Sequence, residues 1–494
     1  MATPRRTLLA LEILSLLVWL GLAGAYAARA LEDSGPVPLD TTALVVGTAE
    51  ERWSGIFFQE QHVGYSVSRV SPAVNDGTLY EQRSQFRVAT FGKLQRVVTA
   101  GAALVDQAGA LQSFDFFLAA DAVRLVAHGE VRGPEIVIEV AQGGETSTLR
   151  FPISQPPQVS LSLESVIRRT PLAVGKRFTV PYFDPLTLAE GEMAVRVTDV
   201  TVLESGEEAY WVETSFHDVS ARALVLPTGE TLRQEGALGM AMVRMTEAAA
   251  MDVPEDQEPV DLIALSAVRL TGKLPTARAL RLVSLRISGV PMSEIQDFAP
   301  LQTLADDVVT IDVPLWEELP SLPVADTSEP AWIEATATLP AQHPEMIARA
   351  TEIIGDAQDR KVAVERLVTW VFEHVEKVPR MGVPNGLEVL RERQGDCNEH
   401  TALLVSLARS VGIPARIAAG VVYSDRMTGA PAYYYHAWPE VRLGGPTDWV
   451  PVDPTFGQTP ADATHLKLAE GDLDRQVEIM GFLGKLALEV VEAR

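Results

Sequence analysis

From Trp53 to about Met251 the chain is made of short runs in which β-branched and aromatic residues alternate with polar ones. A period of two puts successive side chains on opposite faces of a sheet, so this stretch can bury one face as strands but not as helices. The runs include Gly64-Tyr-Ser-Val-Ser-Arg-Val, Gln85-Phe-Arg-Val-Ala-Thr and Glu135-Ile-Val-Ile-Glu-Val. Asn75-Asp-Gly, Ala108-Gly-Ala, Arg132-Gly-Pro and Gly143-Gly, which separate them, supply the turn chemistry of antiparallel hairpins. The expectation for 50–252 is a long β-meander curled into a sandwich or partial barrel.

Val253-Pro-Glu-Asp-Gln-Glu-Pro marks a boundary. Beyond it, Ile263 to Leu270, Ala279 to Ile287 and Val308 to Val313 read as strands of a small β module over 258–325. After the proline-rich link Pro314 to Pro330 the period turns helical, at Pro344 to Ile354 and Asp356 to Val375, opening a further domain over 335–470. The last segment, 471–494, spaces Leu473, Val477, Met480, Leu483 and Leu486 as an amphipathic helix docking on that domain. The fold class is therefore α+β, with antiparallel β-rich domains preceding a mixed C-terminal one.

At 494 residues the chain is long enough for two to four domains, given about 100 to 200 residues for each. The 41 basic residues against 66 acidic give a net charge of −25, the wrong sign for neutralising phosphates, and so exclude nucleic acid as the partner. One cysteine rules out an internal disulfide. Arg5-Arg6 precede an apolar run from Thr7 to Ala28 whose only charge is Glu12. Its length exceeds a cleaved signal core of roughly 7 to 15 residues and approaches the roughly 20 that span a bilayer. Residues 1–30 are thus a signal peptide or a membrane anchor, with cleavage and retention both open, and 31–49 a tether. Either way the body is expected to be exported, on the periplasmic or cell-surface side.

The chemistry concentrates after Leu387. A short helix breaks at Gly395, and a strongly apolar one starts at Cys397 with Asp396 as its N-cap. Free amides and the positive end of the macrodipole favour a thiolate there. Thirty-nine residues on, His436 sits in the alternating strand Ala432-Tyr-Tyr-Tyr-His436-Ala-Trp-Pro-Glu-Val-Arg442; seventeen further, Asp453 ends the next strand. Neighbouring antiparallel strands can hold imidazole and carboxylate together while the helix start brings up the sulfur. Nucleophile, base and orienter in that order are what acyl transfer needs. Cys397, His400, His436 and His465 lack the closely paired spacing of a zinc site, so neither a metal nor any other cofactor is expected. Gln394 is a candidate oxyanion donor. Asp396, Glu399 and Trp438 are site-supporting candidates, Glu399 pairing outward with a base such as Arg416. Tyr433 to Tyr435 suit a substrate groove or cross-strand packing equally.

Gly395-Asp-Cys-Asn-Glu-His, Gly412-Ile-Pro-Ala-Arg, Tyr435-His-Ala-Trp-Pro-Glu-Val and Trp449-Val-Pro-Val-Asp-Pro-Thr-Phe-Gly-Gln together resemble the transglutaminase-like superfamily in its bacterial exported form. The resemblance covers roughly 340–470. It implies a papain-like core, with Cys397 as nucleophile, His436 as general acid and base, and Asp453 orienting the ring. A thiolate–imidazolium pair would attack a protein or peptide amide, for instance a cell-wall peptide, and a thioester would follow, resolved by water or by a second amine. The alternative is a non-catalytic scaffold of the same fold that binds or assembles envelope proteins. Substrate and oligomeric state are not readable from the residues.

Overall fold

A computed structural model describes residues 44–494 except 91, 121–122, 143–144, 154, 185–188, 217–218, 255, 325–331, 337, 379–383, 428–429, 445–448, 472–478 and 480. The apolar segment 7–28 and most of the tether lie outside the described residues. Among the described residues no helix is long and apolar enough to cross a membrane.

The alternating runs form one antiparallel sheet of fourteen strands. Its first eight, Glu50–Phe58 to Glu145–Pro152, are neighbours in chain order; the last six, Arg177–Asp184 to Met240–Met245, follow the same rule. The two meanders join where Glu50–Phe58 pairs with Met240–Met245, Trp53 opposite Met245. The sheet curls until its far edges meet: Gln158 donates to Pro181 O at 2.7 Å and Phe183 to Gln158 O at 2.9 Å. Phe183 accordingly packs with Ile136 and Ile138 from the opposite end of the sheet. Inside the curl, the helix Leu163–Arg169 lays Val166 and Ile167 against Val180, Val197 and Val212.

Where a separate small module was expected, the structure has a five-stranded sheet that borrows the end of the chain. Its order is Arg269–Thr271, Ala487–Ala493, Leu282–Ser288, Val308–Asp312, Gln302–Ala305. The expected terminal helix over 471–494 is thus corrected: its last part is a strand. Gly484 adopts φ +72° and breaks any helical run. Beyond it Leu488 turns inward at 2 % exposure while Glu489 turns out, which is strand alternation. Residues 263–270 are corrected too. Asp261 caps a helix, Leu262–Ser266, by accepting from the amides of Ile263 and Ala264, and only Arg269–Thr271 is strand.

The C-terminal region centres on a four-stranded antiparallel sheet in the order Trp449–Pro451, Ala432–Arg442, Ala415–Ser424, His465–Gly471. Helices Pro344–Ile354, Arg360–His374 and Cys397–Ser410 cover one face, with Leu367, Leu404 and Leu407 packing onto Ile417, Ala437 and Val441. The five-stranded sheet covers the other, where Val283 and Leu285 meet Val421, Tyr433 and Leu466. Burial on both sides explains why Ala415–Ser424 reads as an unbroken apolar run.

Candidate active site

The helix Cys397–Ser410 is buried from Glu399 to Arg409, so its position on the sheet is dictated by packing all round. Asp396 caps it, its Oδ1 accepting from the Asn398 amide at 2.9 Å, and Glu399 Oε2 reaches back to the Asp396 amide at 2.8 Å. This capping box corrects the outward pairing expected of Glu399. Arg416 is engaged instead by Glu440 and Glu470, and the buried Glu399 carboxyl is pushed well above the usual range, first by burial and then by Asp396. Thr401 Oγ1 donates to Ala437 O at 3.0 Å, tying the first turn of the helix to the strand of His436.

That tie sets the start of the helix against the strand that carries His436. The Cys397 sulfur accepts from the Ala437 amide, one residue past His436, while Cys397 itself keeps partial exposure. Burial pushes the thiol well above its ordinary value, Asp396 adds to the rise, and the Ala437 amide only partly offsets it. Burial thus works against the thiolate expected from the helix start. A helix end contributes about 0.3 to 1 kcal/mol, less than the cost of a charge on a crowded, poorly solvated atom.

His436 is 4 % exposed; its Nε2 lies 2.8 Å from Asp453 Oδ2, and its Nδ1 is buried with no hydrogen-bond partner among the described residues. The ring stacks on Phe456 at 5.2 Å and on Trp438 at 6.0 Å, which fixes its plane. Asp453 is fully buried and lies two residues past the short strand Trp449–Pro451. Its Oδ1 accepts from the amides of Thr455 and Phe456 at 2.6 and 3.0 Å. Burial alone would raise its carboxyl, but the two histidines around it hold it far below the usual carboxylate range.

The second of these histidines is the residue that the motifs did not single out. His465 Nε2 lies 3.0 Å from Asp453 Oδ2 and its Nδ1 2.9 Å from Asp462 O. Asp462 is in turn held by Arg278 at 2.7 Å, Gln458 at 2.8 Å and the Thr464 amide at 2.8 Å. The only local signal was the spacing Asp462-Ala-Thr-His465, just beyond the Asp453 loop.

The other candidates stand further out. Gln394 lies on a two-residue strand paired with Glu376-Lys377, and its Nε2 donates to Glu376 Oε2 at 3.4 Å on the exposed edge. Tyr433 and Tyr434 are 0 % and 2 % exposed, which is packing rather than groove. His400, also fully buried, donates from Nδ1 to Asp396 O at 2.7 Å, and burial pushes its imidazole down. Among the described residues, the group with ligand atoms close enough for a metal, within 4.8 Å, is His436, Asp453 and His465. The 2.8 and 3.0 Å separations are hydrogen bonds, and they engage the carboxylate oxygen that a metal would need.

Gly420 is what lets these strands close. It pairs with His436 on one side and Lys467 on the other, beside a register shift, and a methyl there would run into the Leu466 carbonyl oxygen and the Lys467 backbone. Gly420→Ala is expected to cost about 1 to 3 kcal/mol, as overpacking does, read as a lower urea midpoint by tryptophan fluorescence. An unchanged midpoint would show that the backbone yields freely here.

Residues 347–454 match the family model described as the transglutaminase-like superfamily. An uncharacterized protein of Mycobacterium leprae is 28% identical over 145 residues, 28% of this chain. The chain spans about half the length of that curated relative, 50% of it. Among solved structures, a candidate cysteine protease from Cytophaga hutchinsonii is 15% identical, covering 43% of this chain and 86% of its own, with a TM-score of 0.29. A beta-barrel-like protein of a domain of unknown function from Brucella abortus is 12% identical, covering 40% and 95%, with a TM-score of 0.32.

Proposed function

The chain carries a domain of the transglutaminase-like superfamily across residues 347–454, and on that premise we propose that it is an exported thiol enzyme transferring acyl groups from protein or peptide amides through a thioester on Cys397. One observation carries the reading. His436 is anchored through Nε2 to Asp453 and turns a buried Nδ1, without a partner among the described residues, away from it, beside the residue whose amide favours the ionised Cys397 sulfur. A ring fixed at one nitrogen and free at the other is a general base awaiting a proton.

The steps follow from that arrangement. His436 Nδ1 takes the thiol proton as sulfur attacks the amide carbon, forming the S–C bond. The Cys397 amide, at the helix start, is the natural first donor to the oxyanion. Gln394 becomes a second donor only by leaving Glu376. The Nδ1 proton then passes to the departing amine as the C–N bond breaks, leaving a thioester that water or a second amine resolves. A helix that starts at the cysteine, packed on a sheet that carries the histidine with the aspartate just past its edge strand, supports a papain-like core. The Arg5-Arg6 pair and the apolar run 7–28 support export, with membrane retention if the run is not cleaved.

The test uses the purified full-length chain, p-nitrophenyl acetate and intact-mass measurement. Since Cys397 is the only thiol, the expected result is one acyl adduct, discharged by hydroxylamine and absent from Cys397→Ala. An adduct that persists in Cys397→Ala, or none at any pH, sinks the reading and leaves the non-catalytic scaffold in its place.

A further inference from the structure

His465 has no part in the acyl-transfer steps, yet it is one of the most completely engaged side chains in the site. Its exposure is 4 %, and both ring nitrogens face acceptors. The Asp462 carbonyl can only accept, so Nδ1 carries a hydrogen. Nε2 faces Asp453 Oδ2, whose partner oxygen already accepts two amides, the environment of an ionised carboxylate. For both contacts to be hydrogen bonds the ring must hold two protons at once. We propose that His465 is a positioning residue: a standing imidazolium that gives Asp453 its counter-charge and so leaves His436 neutral at rest, with Nδ1 as the ring's free nitrogen.

The charge balance of the buried cluster supports this. Asp453 and Asp462 contribute two negative charges; His465 and Arg278, the latter bonded to Asp462 at 2.7 Å, contribute two positive ones. The sum is zero without a charge on His436. Were His436 protonated as well, its Nδ1–H would be a buried donor with no acceptor among the described residues, an expensive state. A neutral His436 that donates from Nε2 to Asp453 makes Nδ1 the base and leaves the proton on sulfur, in line with the burial that keeps Cys397 a thiol.

The remaining charges around His465 do not disturb that balance. Arg416, Glu440, Lys467 and Glu470 close on one another across a cavity of about 350 Å³ that His465 also lines. Lys377 is near enough to Asp453 to feel its charge, with its ammonium 4.3 Å over the Phe372 ring. The hydrogen bonds that His465 donates to Asp453 and Asp462 overcome the lowering effect of burial and push it up to about 9. Its two protons are thus kept across the neutral range.

The inference draws its meaning from the acyl-transfer reading, but its test needs no substrate. The full-length protein labelled with 15N-histidine is observed in long-range proton–nitrogen spectra from about pH 5 to 8.5, and rings are assigned by their loss in His465→Gln and His436→Gln. The expected spectrum shows His465 doubly protonated throughout and His436 neutral, with its proton on Nε2, at pH 7. In His465→Gln, Asp453 loses its counter-ion, so the proton affinity of His436 should rise at least tenfold. Iodoacetamide labelling of Cys397 near pH 6 should speed up by a similar factor as a thiolate–imidazolium pair replaces the neutral one. A residue that merely filled space would shift the melting temperature and leave both readouts still. A neutral His465 ring at pH 7 overturns the proposal. So does a His436 titration indifferent to His465→Gln, or stoichiometric zinc uptake by wild type that removes both ring protons. If His465→Gln does not fold, the wild-type spectra alone decide, and a failed acylation assay beside the expected spectra removes the enzyme reading but not this one.

Discussion

His436→Ala is expected to slow acylation of Cys397 by a factor on the order of 10⁴ or more, the scale on which removal of a triad base acts. The size follows from the resting state of the sulfur. Burial, Asp396, Glu399 and Asp453 all hold the thiol protonated, so without a base hardly any nucleophile exists near neutrality. Hydroxide can replace the imidazole only in alkali, so the residual rate should climb about tenfold per pH unit and stay well below the wild-type rate up to pH 9. Single-turnover acylation followed by intact mass measures this, with circular dichroism checking the fold. A loss of less than about tenfold at pH 7 would mean that sulfur is ionised by other means, and the general-base mechanism would fall. The base is within reach because of its strand neighbour: Thr401 and the Cys397 sulfur both engage Ala437, so the helix start is registered against the backbone of the strand that carries the imidazole.

The triad was legible because each member sits at a local event that leaves a mark in sequence. Cys397 follows a Gly-Asp cap, His436 lies in an alternating strand, and Asp453 precedes a proline at a strand end. The state of the triad was not legible. A helix end acts only through the chain next to Cys397, whereas burial of that sulfur depends on residues brought in from elsewhere in the fold. His465 escaped for a related reason. Its partners are Asp453, twelve residues back, and Asp462, whose charge is met by Arg278, 184 residues away in the turn Ala277–Ala279 that links two strands of the neighbouring sheet. The meander was readable turn by turn, but the pairing of Glu50–Phe58 with Met240–Met245 that makes it one sheet has no local signature. The final strand is hidden in the sequence because Leu473, Val477, Met480 and Leu483 fit a period near four, and only Gly484 separates them from residues that alternate.

Asp453→Ala is expected to lower folding stability by about 3 to 5 kcal/mol, the cost of breaking a buried charge pair from one side. Four hydrogen bonds end on this carboxylate, and its removal leaves the Thr455 and Phe456 amides without an acceptor and the His465 cation with Asp462 alone. Asp453→Asn retains an acceptor without the charge, so a loss intermediate between alanine and wild type would separate shape from electrostatics. The pH dependence carries a second signature. Asp453 is held below its unfolded value of about 3.9, so its contribution is whole above that value and fades only as acid approaches the lower folded one. His465 is raised from 6.5 to about 9, so its contribution is whole below about 6.5 and is lost as pH rises through about 9. Wild type should therefore be most stable between about pH 4 and 6.5 as far as this pair is concerned, and should lose about 3 kcal/mol towards pH 10. In Asp453→Ala the strongest interaction raising His465 is gone, and the alkaline loss should shrink with it. Urea denaturation at pH 6 and pH 10 for both proteins measures the difference. Parallel losses would mean that His465 and Asp453 do not share a charge in the folded state, and the counter-ion arrangement would have to be abandoned.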